Sequence, residues 1–329
     1  MLLRILSLAA GLTLASVASA QPVMKLSAST INDSVHEWMK MLKAGVEGRA
    51  AGKIKVELYP ASQLGQIPRT VEGVQMGTIE LAINASGFYE TVEPRFSVFA
   101  APGLFDNLEH ARAVLDDPAA RARIATLGAP RGVEALALFA PTPYSIISHK
   151  PILSLADMRG QKIRVPGSPI QLEGLKRLGV SPLSMPFGEV LPAFQNRTID
   201  GVWAAVQLFN ALKYHDVAKN VVSLPASWAV VVGLVNRNFM KSLGAELEAI
   251  VREEAHKAQA AVIPWTAEDL KRADALWAKN GGKLVELPEA ERKRYNEESL
   301  AAALPLLTAT PAQKEDYEVL SAAARKHRK

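Results

Sequence analysis

The stretch GQKIRVPGSP, residues 160–169, sets Arg164 between Ile163 and Val165 and just ahead of a Pro-Gly-Ser turn. The run reads as a short strand that ends at Val165, because proline cannot donate to a ladder. Lys162 and Arg164 alternate with Ile163 and Val165, so the stretch alone describes a strand whose charges face water. The competing reading is a cation with a rigid, planar donor fork, held at a strand end and facing a loop. Which of the two applies depends on the flanking chain.

Downstream, the pattern repeats strand and helix in turn. KIRVP is followed by helical spacing over Ile170–Leu178, a strand in PLSMP, a helix over Glu189–Gln195 and a strand in TIDGVWAA. The amino-terminal part follows the same grammar. Lys25–Ser29 reads as a strand, and Ser34 with Glu37 three residues later reads as a capping box. Val35, Trp38, Leu42 and Val46 then recur at helical spacing until AAGK. KIKVELYP is a strand ended by Pro60, Val71–Met76 a short helix, and GTIELAIN another strand. This βαβ spacing predicts parallel strands in an α/β layer fold. QMGTIELA, from Gln75, and QNRTIDGV, from Gln195, match in pattern and fit two similarly built lobes. A helical run from about Ala245 to Asn280 carries Pro264 in its middle, which removes a hydrogen bond and kinks the helix.

The chain has 329 residues, a net charge of +5 and no cysteine. Its length suits one large domain or two lobes, each with its own core. MLLRILSLAAGLTLASVASA has one early cation, a short apolar run and a small-x-small end. It reads as a secretory signal peptide with cleavage expected after Ala20, and its apolar core is short for a spanning helix. The expected location is therefore the periplasm. Zero cysteine removes thiol catalysis, thiolate metal sites and lipoprotein attachment. The RKHRK tail, Arg325–Lys329, supplies part of the charge and reads as solubilising rather than as a nucleic-acid contact.

Catalytic signatures are absent. No two of the six histidines stand at i, i+4, and no HExxH, GxSxG or GxGxxG occurs. GRAAGK, 48–53, has too short a glycine gap for a P-loop and is followed by Ile54 instead of Ser or Thr. Asp116 and Asp117 precede Pro118 and read as a helix cap rather than a metal site. We expect no enzyme activity, no cofactor and no metal.

Taken in order, six stretches resemble the DctP-type solute-binding proteins of tripartite ATP-independent periplasmic (TRAP) transporters. They are KIKVELYPASQLGQ (53–66), VQMGTIELAI (74–83), FSVFAAPGLFDNLEHARAVLDD (96–117), KPILSLADMRGQKIRVPGS (150–168), PLSMPFGEVLPAFQNRTIDGV (182–202) and LKYHDVAKNVV (212–222). The resemblance implies a periplasmic-binding-protein fold of the α/β class, with two α/β lobes, a hinge of crossing strands and a long kinked inter-lobe helix. It divides the chain into a signal peptide (1–20), a first lobe (21–140, with a return segment about 230–265) and a second lobe (141–229, with C-terminal helices about 266–329). It also implies one bound solute and TRAP permease membrane subunits as partners.

The resemblance assigns the arginine of KIRVP, Arg164, to clamping a solute carboxylate. Its strand-end position fits, because ligands of open α/β sheets bind outside the carboxyl ends of strands. A buried guanidinium also calls for an anionic partner. Phe187 matches a pocket aromatic, with an ordinary core phenylalanine as the alternative. Elsewhere the sequence departs from the family. The asparagine usual after TIDG is here Ala204, a second arginine of many members is Tyr144, and a first-lobe polar position falls at Asn84–Ser86 with Ala85 at the match. Trp203 and Trp228 fit either pocket or core. With polar groups replaced by aromatic and aliphatic ones, we expect a small monocarboxylate with an apolar body, such as a 2-oxo or 2-hydroxy acid, ahead of diacids and sugar acids. Arg69, Arg95 and Lys213 are the other cations that could reach such a site. A ligand-presenting subunit of a membrane sensor and an exported hydrolase are the alternative functions.

Overall fold

The computed structural model describes residues 21–328, so the expected signal peptide lies outside them. Strand β1 (Val23–Ala28) carries Met24, Leu26 and Ala28 on one buried face. It runs into α1 (Ser34–Ala50), which buries Val35, Trp38, Leu42 and Val46 as the spacing predicts. The cap is Asp33 rather than Ser34: its Oδ1 accepts from the His36 amide at 3.0 Å. The box expected from Ser34 and Glu37 therefore gives way to a single cap one residue earlier, since an aspartate in extended backbone satisfies an orphan amide of the first turn. Then come β2 (Lys55–Tyr59), α2 (Ile67–Met76) and β3 (Leu81–Ala85), with β1 pairing in parallel to both β2 and β3. Helices α3 (Leu108–Leu115) and α4 (Pro118–Ile124) lead to the long strand β4 (Val133–Ser148). Asp117 caps α4 by accepting the Ala119 amide, as the sequence suggests.

The pattern then repeats as β5 (Lys162–Val165), α5 (Pro169–Arg177), β6 (Ser181–Ser184), α6 (Phe187–Gln195), β7 (Gly201–Ala204) and α7 (Val206–Ala211). Strand β5 pairs in parallel with β6 and β7. The two short sequence matches have matching geometry. The Thr78 amide donates to Gly73 O and the Thr198 amide to Ala193 O, both at 2.9 Å. Glu80 accepts the Lys25 amide at 2.8 Å, and Asp200 accepts the Lys162 amide at 2.7 Å. In each lobe the carboxylate at this turn anchors the start of the neighbouring strand.

The last third holds β8 (Asn220–Asn236), α8 (Arg237–Ser242), α9 (Gly244–Lys279), β9 (Lys283–Glu286), α10 (Glu289–Leu307) and α11 (Pro311–His327). Strand order is β2-β1-β3-β8-β4-β7-β5-β6, with β9 added on β8. The pairs β3–β8, β8–β4 and β4–β7 are antiparallel, so the sheet is mixed rather than wholly parallel. The long strands β4 and β8 join the lobes. Residues 133–139 pair with 231–236, residues 142–148 pair with 220–229, and the register shifts between Phe139 and Thr142. Pro141 and Pro143 stand at that crossing and remove two ladder donors, which weakens the sheet where the strands pass between the lobes.

Helix α9 spans the same gap on the outside. Ala255, Ala258 and Val262 join the first-lobe core around Trp38, whereas Ala273 and Trp277 join the second-lobe core with Phe209. Pro264 falls between the two sets and leaves the carbonyl of Ala260 without its helical donor. The expected grouping of all C-terminal helices with the second lobe needs correction. Helix α10 packs on α5, but α11 packs on α3 and α4. The basic tail is tied there by side chains: Lys326 meets Asp117 at 2.7 Å and Arg328 meets Asp106 at 2.7 Å. Among the described residues, no helix is long and apolar enough to cross a membrane.

Candidate functional site

The carboxyl ends of strands from both lobes converge on one cleft. From the first lobe, β1 delivers the turn holding Ser29, Thr30 and Asp33, and β3 delivers Asn84, Ala85 and Phe88. From the second lobe, β5 delivers Arg164 and Pro166, the turn after β6 delivers Phe187, and β7 delivers Trp203, Ala204 and Gln207. The crossing strands close the back with Thr142 and Tyr144, and Asp269 comes from α9. The cavity volume of the cleft is about 130 Å³, and the cleft is partly open to solvent. Its mouth continues into a wider groove past Ile31, Leu191 and Leu276.

Arg164 is 2% exposed, so the alternating pattern that put it in water does not hold. Lys162 is exposed, but the strand is buried from its second residue onward, lying between β6 and β7 in the sheet. The Arg164 Nε and Nη2 atoms both donate to Met185 O, at 3.3 and 3.1 Å. Among the described residues, no carboxylate lies within ion-pair distance of the guanidinium and Nη1 makes no hydrogen bond. Burial pushes its pKa down to about 10, with the Tyr214 and Tyr144 phenols opposing that shift only in part. The charged fork lies among Tyr144, Phe187 and Trp203 with no counter-charge among the described residues, an arrangement with the chemistry to hold an anion.

Tyr144 and Trp203 form an edge-on pair with centroids 5.6 Å apart. Burial pushes the Tyr144 phenol up to about 12, so it stays neutral beside Arg164. Trp203 is 4% exposed, belongs to the second-lobe core and also walls the cleft, so it is pocket and core together. Its indole Nε1 has no hydrogen-bond partner among the described residues. Ala204, which stands where a family asparagine is usual, offers the cleft a methyl group. Trp228 is a correction: it does not line this cleft but a smaller cavity behind Tyr144, with Gln171 and Tyr295.

The other expected cations are elsewhere. Arg95 holds Asp316 through Nε and Nη2 at 2.6 and 2.9 Å, and Arg69 and Lys213 are not in the cleft wall. Asp33, Phe88, Thr142, Gln207 and Asp269 were not anticipated. Asp33 and Phe88 follow strand ends, so the rule that singled out Arg164 would have found them. Thr142 donates to Gln207 Oε1 at 3.0 Å, a pairing across 65 residues with no local signal. Asp269 sits one helical turn past the Pro264 break, which a sequence pattern cannot place against a cleft. Among the described residues, no group of three or more His, Asp or Glu side chains could hold a metal ion.

The lobes already touch at the rim. A Cβ on Gly87 would lie 3.0 Å from the Ser168 Cβ, and one on Gly188 would lie 2.9 Å from Gln66 Nε2. These close approaches between lobes suit a cleft that shuts around its contents.

Two similar lobes, a hinge of crossing strands and a shared cleft with a buried cation define a two-lobed solute-binding protein. Residues 27–303 match the family model described as bacterial extracellular solute-binding protein, family 7. The chain belongs to that family, the DctP-type binding proteins of TRAP transporters. It is 27% identical over 241 residues, 73% of each chain, to the 2,3-diketo-L-gulonate-binding periplasmic protein YiaO of Escherichia coli. Among solved structures, it superposes with a TM-score of 0.88 on a TRAP periplasmic solute-binding protein from Desulfovibrio salexigens with bound orotic acid. That match has 24% identity and covers 93% of this chain and 99% of the other. A TRAP protein from Xanthobacter autotrophicus with bound β-D-galacturonate matches at 25% identity and a TM-score of 0.85, over 91% and 99% of the two chains.

Proposed function

We propose that this chain captures a small organic acid in the periplasm, holding its carboxylate on Arg164, and delivers it to a TRAP permease. The observation that carries the reading is Arg164 itself, a buried guanidinium with no counter-ion among the described residues. A carboxylate supplies both the missing charge and a two-point match to the fork. The wall made by Tyr144, Phe187, Trp203, Ala204 and Leu208 favours an apolar body on the acid, each buried methylene contributing about 0.8 kcal/mol. Binding without turnover fits the family, and the family's transporters supply the expected membrane partner. Asn84 and Ala85 contribute the first-lobe wall that the second lobe closes upon.

Mass spectrometry of whatever molecule leaves the purified protein on denaturation would identify the acid. Calorimetry on that acid then tests the clamp. Arg164→Ala should lose on the order of 2–5 kcal/mol of binding. Arg164→Lys should also bind poorly, because one ammonium cannot reproduce the planar fork. Unaltered affinity in either variant would remove Arg164 from the site. Uptake by the reconstituted permease, dependent on the loaded protein, tests delivery.

A further inference from the structure

The cleft is chemically lopsided. The second lobe contributes the Arg164 guanidinium and Trp203, whose buried indole N–H has no partner among the described residues. The first lobe and α9 present acceptors. Asn84 is 4% exposed, its amide nitrogen donates to the Tyr89 hydroxyl at 3.4 Å, and its Oδ1 has no partner among the described residues. Asp33 uses Oδ1 to cap α1, and Asp269 uses Oδ1 for an ion pair with the exposed Arg272 at 3.3 Å. The second oxygen of each carboxylate makes no hydrogen bond to a described residue. Asp33 and Asp269 are close enough to repel, and burial together with that repulsion raises the Asp269 pKa.

Charge counting sharpens the point. Of the charged residues lining the cleft, Asp269 is paired with Arg272, whereas Arg164 and Asp33 have no ion partner among the described residues. A simple monoanion would satisfy Arg164 but would leave the Asp33 carboxylate without a counter-ion. It would also leave the buried Asn84 oxygen unpaired, which is costly. A ligand with a proton-bearing cationic group remedies both defects.

We propose that the ligand carries a basic nitrogen as well as its carboxylate, with the ammonium held by Asp33, Asn84 Oδ1 and Asp269 across the cleft from Arg164. The proposal rests on the arginine clamp and specifies the opposite end of the same site. The ligand class is an amphoteric monocarboxylate, an amino acid in the broad sense, with an apolar segment against the aromatic wall.

The test uses the full mature protein, stripped of bound ligand by denaturation and refolding. Matched acids of four to six carbons are compared by calorimetry, each ending in methyl, hydroxyl or amino, as in hexanoate, 6-hydroxyhexanoate and 6-aminohexanoate, with the corresponding 2-amino acids alongside. The amino members should bind about tenfold tighter or more than their methyl and hydroxyl partners, the usual margin of a charge-assisted hydrogen bond. Asp33→Asn should erase that margin. Asparagine caps a helix as well as aspartate does, so this variant keeps α1 intact. If methyl or hydroxyl acids bind as well as or better than amino acids at every length, or Asp33→Asn keeps the margin, the amine proposal fails while the clamp stands. If no carboxylate binds, or Arg164→Ala binds them all unchanged, the clamp reading fails and the amine proposal with it.

Discussion

Arg164 should be a liability to the empty protein, and Arg164→Met measures how large. Burial lowers its pKa from the ordinary 12.5 to about 10. At about 1.4 kcal/mol per tenfold change in proton affinity, this is a cost of about 3 kcal/mol for keeping the charge in the cleft. Methionine has a similar length, no charge and enough flexibility to pack against Tyr144, Phe187 and Trp203. The substitution also removes both donors from Met185 O, which costs about 1–3 kcal/mol if that carbonyl finds no water. The balance runs from neutral to about 2 kcal/mol in favour of the variant. The assay is urea unfolding of ligand-stripped protein at pH 7.5, followed by tryptophan fluorescence, because residual ligand would stabilise the parent alone. Arg164→Met should unfold at the same or higher urea and fail to bind the acid. A variant that loses more than about 2 kcal/mol with no ligand present would show that Arg164 supports the fold. The argument for a site held open for an anion would then collapse.

Three further outcomes are expected. Glu90 follows the helical turn Ser86–Tyr89, and burial, only partly offset by the Ser168 hydroxyl, pushes its pKa up to about 7. The folded protein therefore keeps a proton that the unfolded chain releases near 4.5, so stability falls as pH rises from 4.5 to 7. Glu90→Gln should flatten that slope and gain up to about 3 kcal/mol over the parent at pH 8; equal slopes in urea unfolding would refute it. Asp316, 2% exposed, holds both Arg95 and Arg123 and so ties α11 to the first lobe. Asp316→Asn should cost about 3 kcal/mol, and a thermal midpoint within a degree of the parent would show the network to be dispensable. Gly87→Val should hold the lobes apart at Ser168, weakening ligand binding and abolishing the fall in radius of gyration that X-ray scattering should record when the parent is loaded. A variant that contracts like the parent would mean that the rim does not limit closure.

The sequence by itself determined the local elements and their repeat. Val35, Trp38, Leu42 and Val46 specify α1 because helical period is a property of neighbouring residues. The Thr-Ile-Glu and Thr-Ile-Asp turns announce two similarly built lobes for the same reason: Glu80 and Asp200 anchor strands through bonds that follow from the turn. Arg164 was legible too, through its place at a strand end and the motif around it. Its burial was not, since alternation along β5 cannot register what the rest of the fold packs against the strand. Only the tertiary structure brought Asp33, Asn84 and Asp269 to one side of a cleft, from positions separated by most of the chain. It also placed α11 against α3 and α4, and gave Arg95 to Asp316 instead of the ligand. Each of these outcomes depends on which faces meet after the long strands cross and α9 spans both lobes. Periodicity reports which face of an element is buried, whereas the partner that buries it, and any charge left unpaired in the process, is decided by the packing of the whole chain.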